Sequence, residues 1–276
     1  MPLVTETKEQ PWRLLGHSPT GTVASFDQSR FTNDGDCVLW IEKLALYTEL
    51  AAYGFSIRPS NGPPWSRDPL PIPHMGAMRN SSGSEATGTS AMWHLEHPYP
   101  LNPHDSFQIT ANYGVNWASL ARGTVSMWGR KELGVKTAPP RYNAPCVFTD
   151  SIVSAADGDV IKFNTEKLRN WHDSPVELHW LTVYPYRIDT ELRLMGQDTH
   201  RIRARMGMHA IIGKNTMVPY ASVACANGWR VPFYGMKLDP GVALEIEIQR
   251  NISDAGNRTF LCAVYGSVEV VRANHV

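Results

Sequence analysis

The sequence predicts an all-β chain of two tandem β-sandwiches, and three observations predict it. Short segments with alternating apolar positions recur along the chain. Twenty Pro and twenty-one Gly among 276 residues break it at short intervals. The second half echoes the first at an offset of 137 residues.

The strand candidates are CVLWIEKLALY (37–47), SFQITANY (106–113), GTVSMWG (123–129), VELHWLTVYPY (176–186), ALEIEIQ (243–249) and TFLCAVYGSVEVV (259–271). In ALEIEIQ, Leu244, Ile246 and Ile248 fall on one face and Glu245, Glu247 and Gln249 on the other, as a half-buried strand requires. Residues 42–53 also fit a helical period, and periodicity leaves strand and short helix both open there.

The repeat begins with GTVASFDQ against GDVIKFNT, where Gly21, Val23 and Phe26 meet Gly158, Val160 and Phe163. Asn33 and Asp36 then meet Asn170 and Asp173, and Ile41, Leu44, Leu46 and Tyr47 meet Leu178, Leu181, Val183 and Tyr184. Without a gap Gly76 meets Gly213, Leu101, Pro103 and Ile109 meet Leu238, Pro240 and Ile246, and Gly129 and Glu132 meet Gly266 and Glu269. Identity at this offset is about one in nine, little more than composition alone gives. The weight therefore lies in order and clustering: matches gather in strand and turn blocks, while 59–92 matches 196–229 poorly, as loops on a shared scaffold do. Gly129 suits a turn or bulge and Pro103 the lead-in to a strand. A unit of about 120 residues with seven or eight strands has the size of a jelly roll. This divides the chain into an N-terminal arm (1–17), a first β-sandwich (18–136), a connector (137–154) and a second β-sandwich (155–276).

Composition removes several function classes. With 26 basic and 26 acidic residues the net charge is zero, so no global field holds a nucleic-acid backbone. No run reaches the roughly 18 apolar residues of a membrane span, and the start lacks signal-peptide order. Cys37, Cys146, Cys225 and Cys262 stand far apart and read as buried thiols. Sequons at Asn80, Asn251 and Asn257 have no secretory signal beside them.

No catalytic, cofactor or metal residues are assigned. His94, Glu96 and His97 suggest a metal, since His94 and Glu96 share a strand face, but no third ligand stands near and the second unit has none at Val231 and Phe233. A bicupin enzyme would need His-x-His followed by Glu in each unit, and neither has it. The pairs His172-Asp173 and His104-Asp105 point to opposite faces of an extended chain. There is no GxSxG elbow, and GKNTMVPY (213–220) lacks the preceding P-loop Gly. Trp65, Trp93, Trp117, Trp171 and Trp229 suit a sugar-stacking site, or equally a sandwich core or interface.

Two tandem units, each with an L-x-P lead-in to a strand (LNPHDSFQI, LDPGVALEI) and a closing strand with Gly and Glu (MWGRKEL, VYGSVEV), resemble the double-jelly-roll coat (major capsid) proteins of tailless bacterial and archaeal viruses. The resemblance is architectural and covers nearly all the chain after residue 17. It implies a virion shell subunit, made in the host cytoplasm, that assembles as homotrimeric pseudo-hexameric capsomers and then a larger shell. Its partners would be copies of itself and other virion proteins, with no catalytic residues, no cofactor and no sequence-specific nucleic-acid contact. The neutral arm, where Lys8 and Arg13 offset Glu6 and Glu9, leaves room for a lining membrane or protein layer. Two other classes stay open: a glycan- or receptor-binding tail or spike module, and a metal-dependent duplicated-β enzyme.

Overall fold

A computed structural model describes residues 9–17, 23–48, 54–70, 78–79, 89–112, 123–154, 156–187, 193–194, 200–224, 230–251 and 258–272. Gly21, Gly76, Asn80, Trp117, Cys225, Trp229 and Asn257 lie outside the described residues.

The first half forms β1 (Glu9–His17), β2 (Val23–Ser25), β3 (Leu39–Thr48), β4 (Gly54–Pro59), β5 (Met78–Arg79), β6 (Thr89–Leu101), β7 (Phe107–Asn112) and β8 (Gly123–Glu132). The second half forms β9 (Arg141–Ser154), β10 (Val160–Lys162), β11 (Val176–Arg187), β12 (Arg193–Leu194), β13 (His200–Met206), β14 (His209–Ile212), β15 (Val218–Pro219), β16 (Val231–Leu238), β17 (Leu244–Arg250) and β18 (Arg258–Val271). One helical turn, α1 (Tyr220–Val223), precedes β16. The segment that also fitted a helical period is strand as far as Thr48, and 49–53 lie outside the described residues.

In the first half one sheet runs β1-β8-β3-β6-β5 and faces β2-β7-β4; in the second, β9-β18-β11 with β16 beside β11 faces β10-β17-β13-β14. Both are the two-sheet crossing of a jelly roll, in which the first and last strands pair at the centre or edge of one sheet.

The two halves share register as well as order. Leu39 pairs with Lys131 and Val176 with Val268, both partners 137 residues on, and each ladder shifts at the same place, between Ile41 and Lys43 and between Leu178 and Trp180. Val23 pairs with Asn112 and Val160 with Gln249, again 137 apart. At the shift the backbone of the bulged strand crowds the central strand. A Cβ on Gly129 would lie 1.7 Å from the Trp40 carbonyl oxygen and one on Gly266 2.5 Å from that of Glu177, so only glycine fits.

A buried asparagine repeats too. The Asn33 amide donates to the carbonyls of Cys37 (2.9 Å) and Leu101 (3.0 Å) and accepts from Gly35 N–H; Asn170 donates to Ser174 (3.0 Å) and Leu238 (2.8 Å) and accepts from His172 N–H. The backbone of each clasps the turn after the L-x-P lead-in: His104 N–H donates to Asn33 C=O, and Gly241 N–H to Asn170 C=O. In both turns Pro precedes a residue with positive φ, 67° at His104 and 74° at Gly241.

The expected arm and connector are corrected here. Glu9–His17 pairs with β8 along its whole length, and Arg141–Ser154 pairs with β18 over fourteen residues. Each is the opening strand of its sandwich. They escaped the repeat because β9 stands three residues out of step: Pro11 pairs with Arg130, and Pro145 rather than the residue 137 on pairs with Ser267.

We expect Asn33→Ala and Asn170→Ala each to destabilise by about 2–4 kcal/mol, since two buried carbonyls and one N–H lose their partner. His104→Gly should be neutral or stabilising, because glycine adopts positive φ without penalty. Urea denaturation checks all three.

Candidate functional site at the seam between the sandwiches

The outward face of the β9-β18-β11 sheet is the most distinctive surface among the described residues, because it is not solvated. In β17, apolar residues alternate with half-buried polar ones, the pattern of a strand with one wet face. Residues 261–268 of β18 are all buried, on both faces. Trp180 (5% exposed), Tyr265 (1%) and Val147 (1%) form one cross-strand row on the outer side.

The first sandwich covers that row. Val147 N–H donates to the Trp65 carbonyl at 2.7 Å, and Ser66 bridges to Val147 in parallel. The Trp65 ring packs edge-on against Trp93 (5.6 Å), Tyr99 (5.6 Å) and Phe107 (5.4 Å). Trp93 in turn meets Tyr265 at 5.2 Å, Tyr265 stacks on Trp180 at 3.6 Å, and the Arg230 guanidinium lies 4.2 Å over Trp180. The aromatic chain thus runs without a break from the core of one sandwich across to the other, with edge and stacked geometries that rings favour.

Polar contacts ring it. Lys167 reaches Asp68 (3.6 Å) and Asp150 (3.5 Å); burial opposes its charge, and the two carboxylates outweigh burial and hold its pKa up. Arg272 pairs with Asp105 at 3.1 Å, lies over the Tyr142 ring, and donates its backbone N–H to Pro140. Tyr142 donates to the Asn61 carbonyl, and burial followed by the neighbouring Tyr142 pushes the Tyr99 phenol up.

A cleft at the seam is lined by Glu96 and His97 of β6, Asn143 and Pro145 of β9, His179 of β11 and Ser267 of β18. It offers about 10 Å³, the room of one water, which is too little for a sugar ring. His97 and His179 face each other at 5.9 Å, and His179 Nε2 lies 3.0 Å from Ser267 Oγ. Burial lowers the His179 pKa, Glu96 and Glu177 oppose that, and His97 adds to it.

The other sequence candidates are scattered. His94 and Glu96 are exposed on β6, whereas His97 turns into the seam; among the described residues no three His, Cys, Asp or Glu side chains converge on one ion position. His172 is partly buried with its Nε2 3.1 Å from Cys146 Sγ, while Asp173 is exposed. Burial pushes the Cys146 thiol up, and burial with Arg67 brings His172 down to about 4, so both are neutral at pH 7, the opposite of an activated thiolate–imidazolium pair. His104 is exposed, and Asp105 is buried among Asn61 and Arg272. Trp65 and Trp93 are buried in the seam and Trp171 is partly buried beneath Arg67. Cys37, Cys146 and Cys262 are buried free thiols. Among the described residues no helix is long and apolar enough to cross a membrane.

Sequence reasoning did not single out Trp180, Tyr265 or Arg230. A signal was present: FLCAVYGSVE (260–269) lacks the alternation of its counterpart GTVSMWGRKE (123–132), which marks a strand covered on both faces.

No family model matches the sequence, and no curated protein matches it. Solved structures similar to this chain include viral major capsid proteins. The major capsid protein P2 from bacteriophage PM2 is 9% identical with a TM-score of 0.48, over 95% of this chain and 98% of that one. The Faustovirus major capsid protein is 8% identical with a TM-score of 0.44, over 99% and 93%. The mavirus major capsid protein is 7% identical with a TM-score of 0.37, over 97% and 88%.

Burial predicts an acid sensitivity. His200, enclosed by Tyr220 and Phe260, is lowered from 6.5 to about 3 by burial, and His172 from 6.5 to about 4. Folded pKa values below the unfolded ones mean that the unfolded chain takes up protons first. Stability is complete above about pH 6.5 and is lost as pH falls toward 4. Melting temperature measured between pH 7.5 and 4.5 should fall, and His200→Phe should flatten the slope whatever it does to the value at pH 7.5.

Proposed function

We propose that the chain is a structural subunit of a viral capsid shell, made in the host cytoplasm, with no enzymatic role, that assembles as trimeric pseudo-hexameric capsomers. One observation carries the reading: the two sandwiches meet head to tail. The β6 edge of the first lies on the outer sheet face of the second, through Trp93 on Tyr265 and His97 beside His179. A head-to-tail contact leaves the complementary pair of surfaces unused, one at each end of the chain, and repeating it generates a ring or a lattice.

Two similar units per chain give six quasi-equivalent positions from three chains, so a threefold ring fills a sixfold place in a shell. This supports keeping two unequal copies in one chain, and the shared registers 137 residues apart support an origin by internal duplication. The partners proposed are further copies of the chain and other virion proteins, with a membrane or protein layer inside the shell. The zero net charge fits a shell that does not grip nucleic acid directly.

Sedimentation of the full chain at rising concentration should show a trimer, then larger particles with hexagonal outlines by negative stain. A chain that stays monomeric at high concentration, and that binds glycans on an array, would replace this reading with the receptor-binding module.

A further inference from the structure

The face that is sealed in the second sandwich is partly open in the first, where among the described residues Arg13 and Lys43 are exposed and Trp40 and Trp128 half-buried. By ladder position Trp128 of β8 stands where Tyr265 stands, Lys43 where Trp180 stands, and Arg13 where Val147 stands. Tyr265 and Trp180 are 1% and 5% exposed, whereas Arg13 and Lys43 are open to solvent and nearby Leu15 and Met92 are 37% and 46% exposed. This face is richer in large apolar groups than a solvated sheet face needs to be. Its arginines sit over its tryptophans, Arg13 5.2 Å from the Trp128 ring and Arg130 5.8 Å from the Trp40 ring, residue types that are enriched in binding interfaces.

The matching edge is partly open as well. Within the chain the seam is reached by the irregular stretch of β6 between Tyr99, which pairs with Ile41, and His94, which pairs with Lys43. Strand β16 has an irregularity at the same ladder place, between Met236, paired with Leu178, and Pro232, paired with Trp180. At its crest Tyr234 is 90% exposed and held at φ 50°, a left-handed conformation that a tyrosine rarely adopts. Among the described residues of the second sandwich Tyr234 is the one large aromatic that stands exposed.

We infer that the β16 edge, led by Tyr234, seats on the outer β1-β8-β3 face of a second copy of this chain, against Trp128 and Trp40, repeating between chains the contact that β6 makes within one. The inference rests on the shell-subunit reading and names the surfaces that reading needs. The occupant is another copy because one chain's two sandwiches are already joined by the first such contact. Glu42 occupies the bulge position that His179 holds in the second sandwich, so Glu42 and Arg130 stand where a tyrosine hydroxyl arriving on this path finds hydrogen-bond partners.

The test uses the full chain. Tyr234→Asp changes an exposed group of the second sandwich and Trp128→Glu a half-buried one of the first; each should raise the concentration for half-assembly by about tenfold or more, and for Tyr234→Asp the melting temperature should stay at the unsubstituted value. A third variant, Tyr234→Cys with Glu42→Cys, should form an intermolecular disulfide under mild oxidation and give a ladder that ends at three chains on a non-reducing gel. That result decides the matter even if either single substitution impairs folding. An unsubstituted chain that assembles, with both single variants assembling equally well and the cysteine pair staying unlinked, overturns this inference and leaves the shell reading in place. An unsubstituted chain that remains monomeric overturns both.

Discussion

Two β-sandwiches on one chain stay in a fixed relation only if parting them exposes a surface that water solvates badly. Here that surface is the outer face of β9, β18 and β11, where Val147, Tyr265 and Trp180 are buried by Trp65 and Trp93 of the other sandwich. Rings of this size bury a large apolar area each, and their edge and stacked contacts fix angle as well as distance. The polar rim of Lys167, Asp68, Asp150, Arg272 and Asp105 adds direction rather than much net energy, since partly exposed ion pairs contribute little.

The same constraint explains the differences between otherwise equal halves. Both need the glycine opposite the bulge and the asparagine that ties the L-x-P turn to the sheet, because those serve the sandwich itself. They part where their outer faces differ in neighbour. The covered face carries Trp180, Tyr265, Val147 and Ser267, with the Arg230 guanidinium over Trp180. The other face keeps Arg13, Lys43 and Arg130 beside Trp40 and Trp128, so that charged groups and water share it with the rings. A chain that seals one copy of a surface internally and leaves the other open is suited to growth by addition of its own kind.

Chemistry is correspondingly quiet. Of the imidazoles that drew attention in the sequence, His172 packs against Cys146 and His97 against His179; two others that did not, His200 between Tyr220 and Phe260 and His179 against Ser267, are packed in the same way. Burial lowers the pKa of His172, His179 and His200 and raises that of the Cys146 thiol, which suits rigid filling rather than proton transfer.

The sequence by itself determined the all-β class and the strands β3, β7, β8, β11, β17 and β18, because alternation in segments such as ALEIEIQ is a local consequence of one wet and one dry face. It also placed Asn33 with Asn170, Gly129 with Gly266 and Pro103 with Pro240, since positions that need a buried amide, a missing Cβ or a fixed φ admit few residue types. It did not reveal that 9–17 and 141–154 are the opening strands, because their pairing is with β8 and β18, more than a hundred residues away, and a three-residue slip hid the repeat. Nor did it say which outer face is covered. Tyr265 and Trp128 are both aromatic residues on a sheet face, and only the tertiary structure, by laying Trp93 on one and leaving the other beneath Arg13, decided which is core and which is surface.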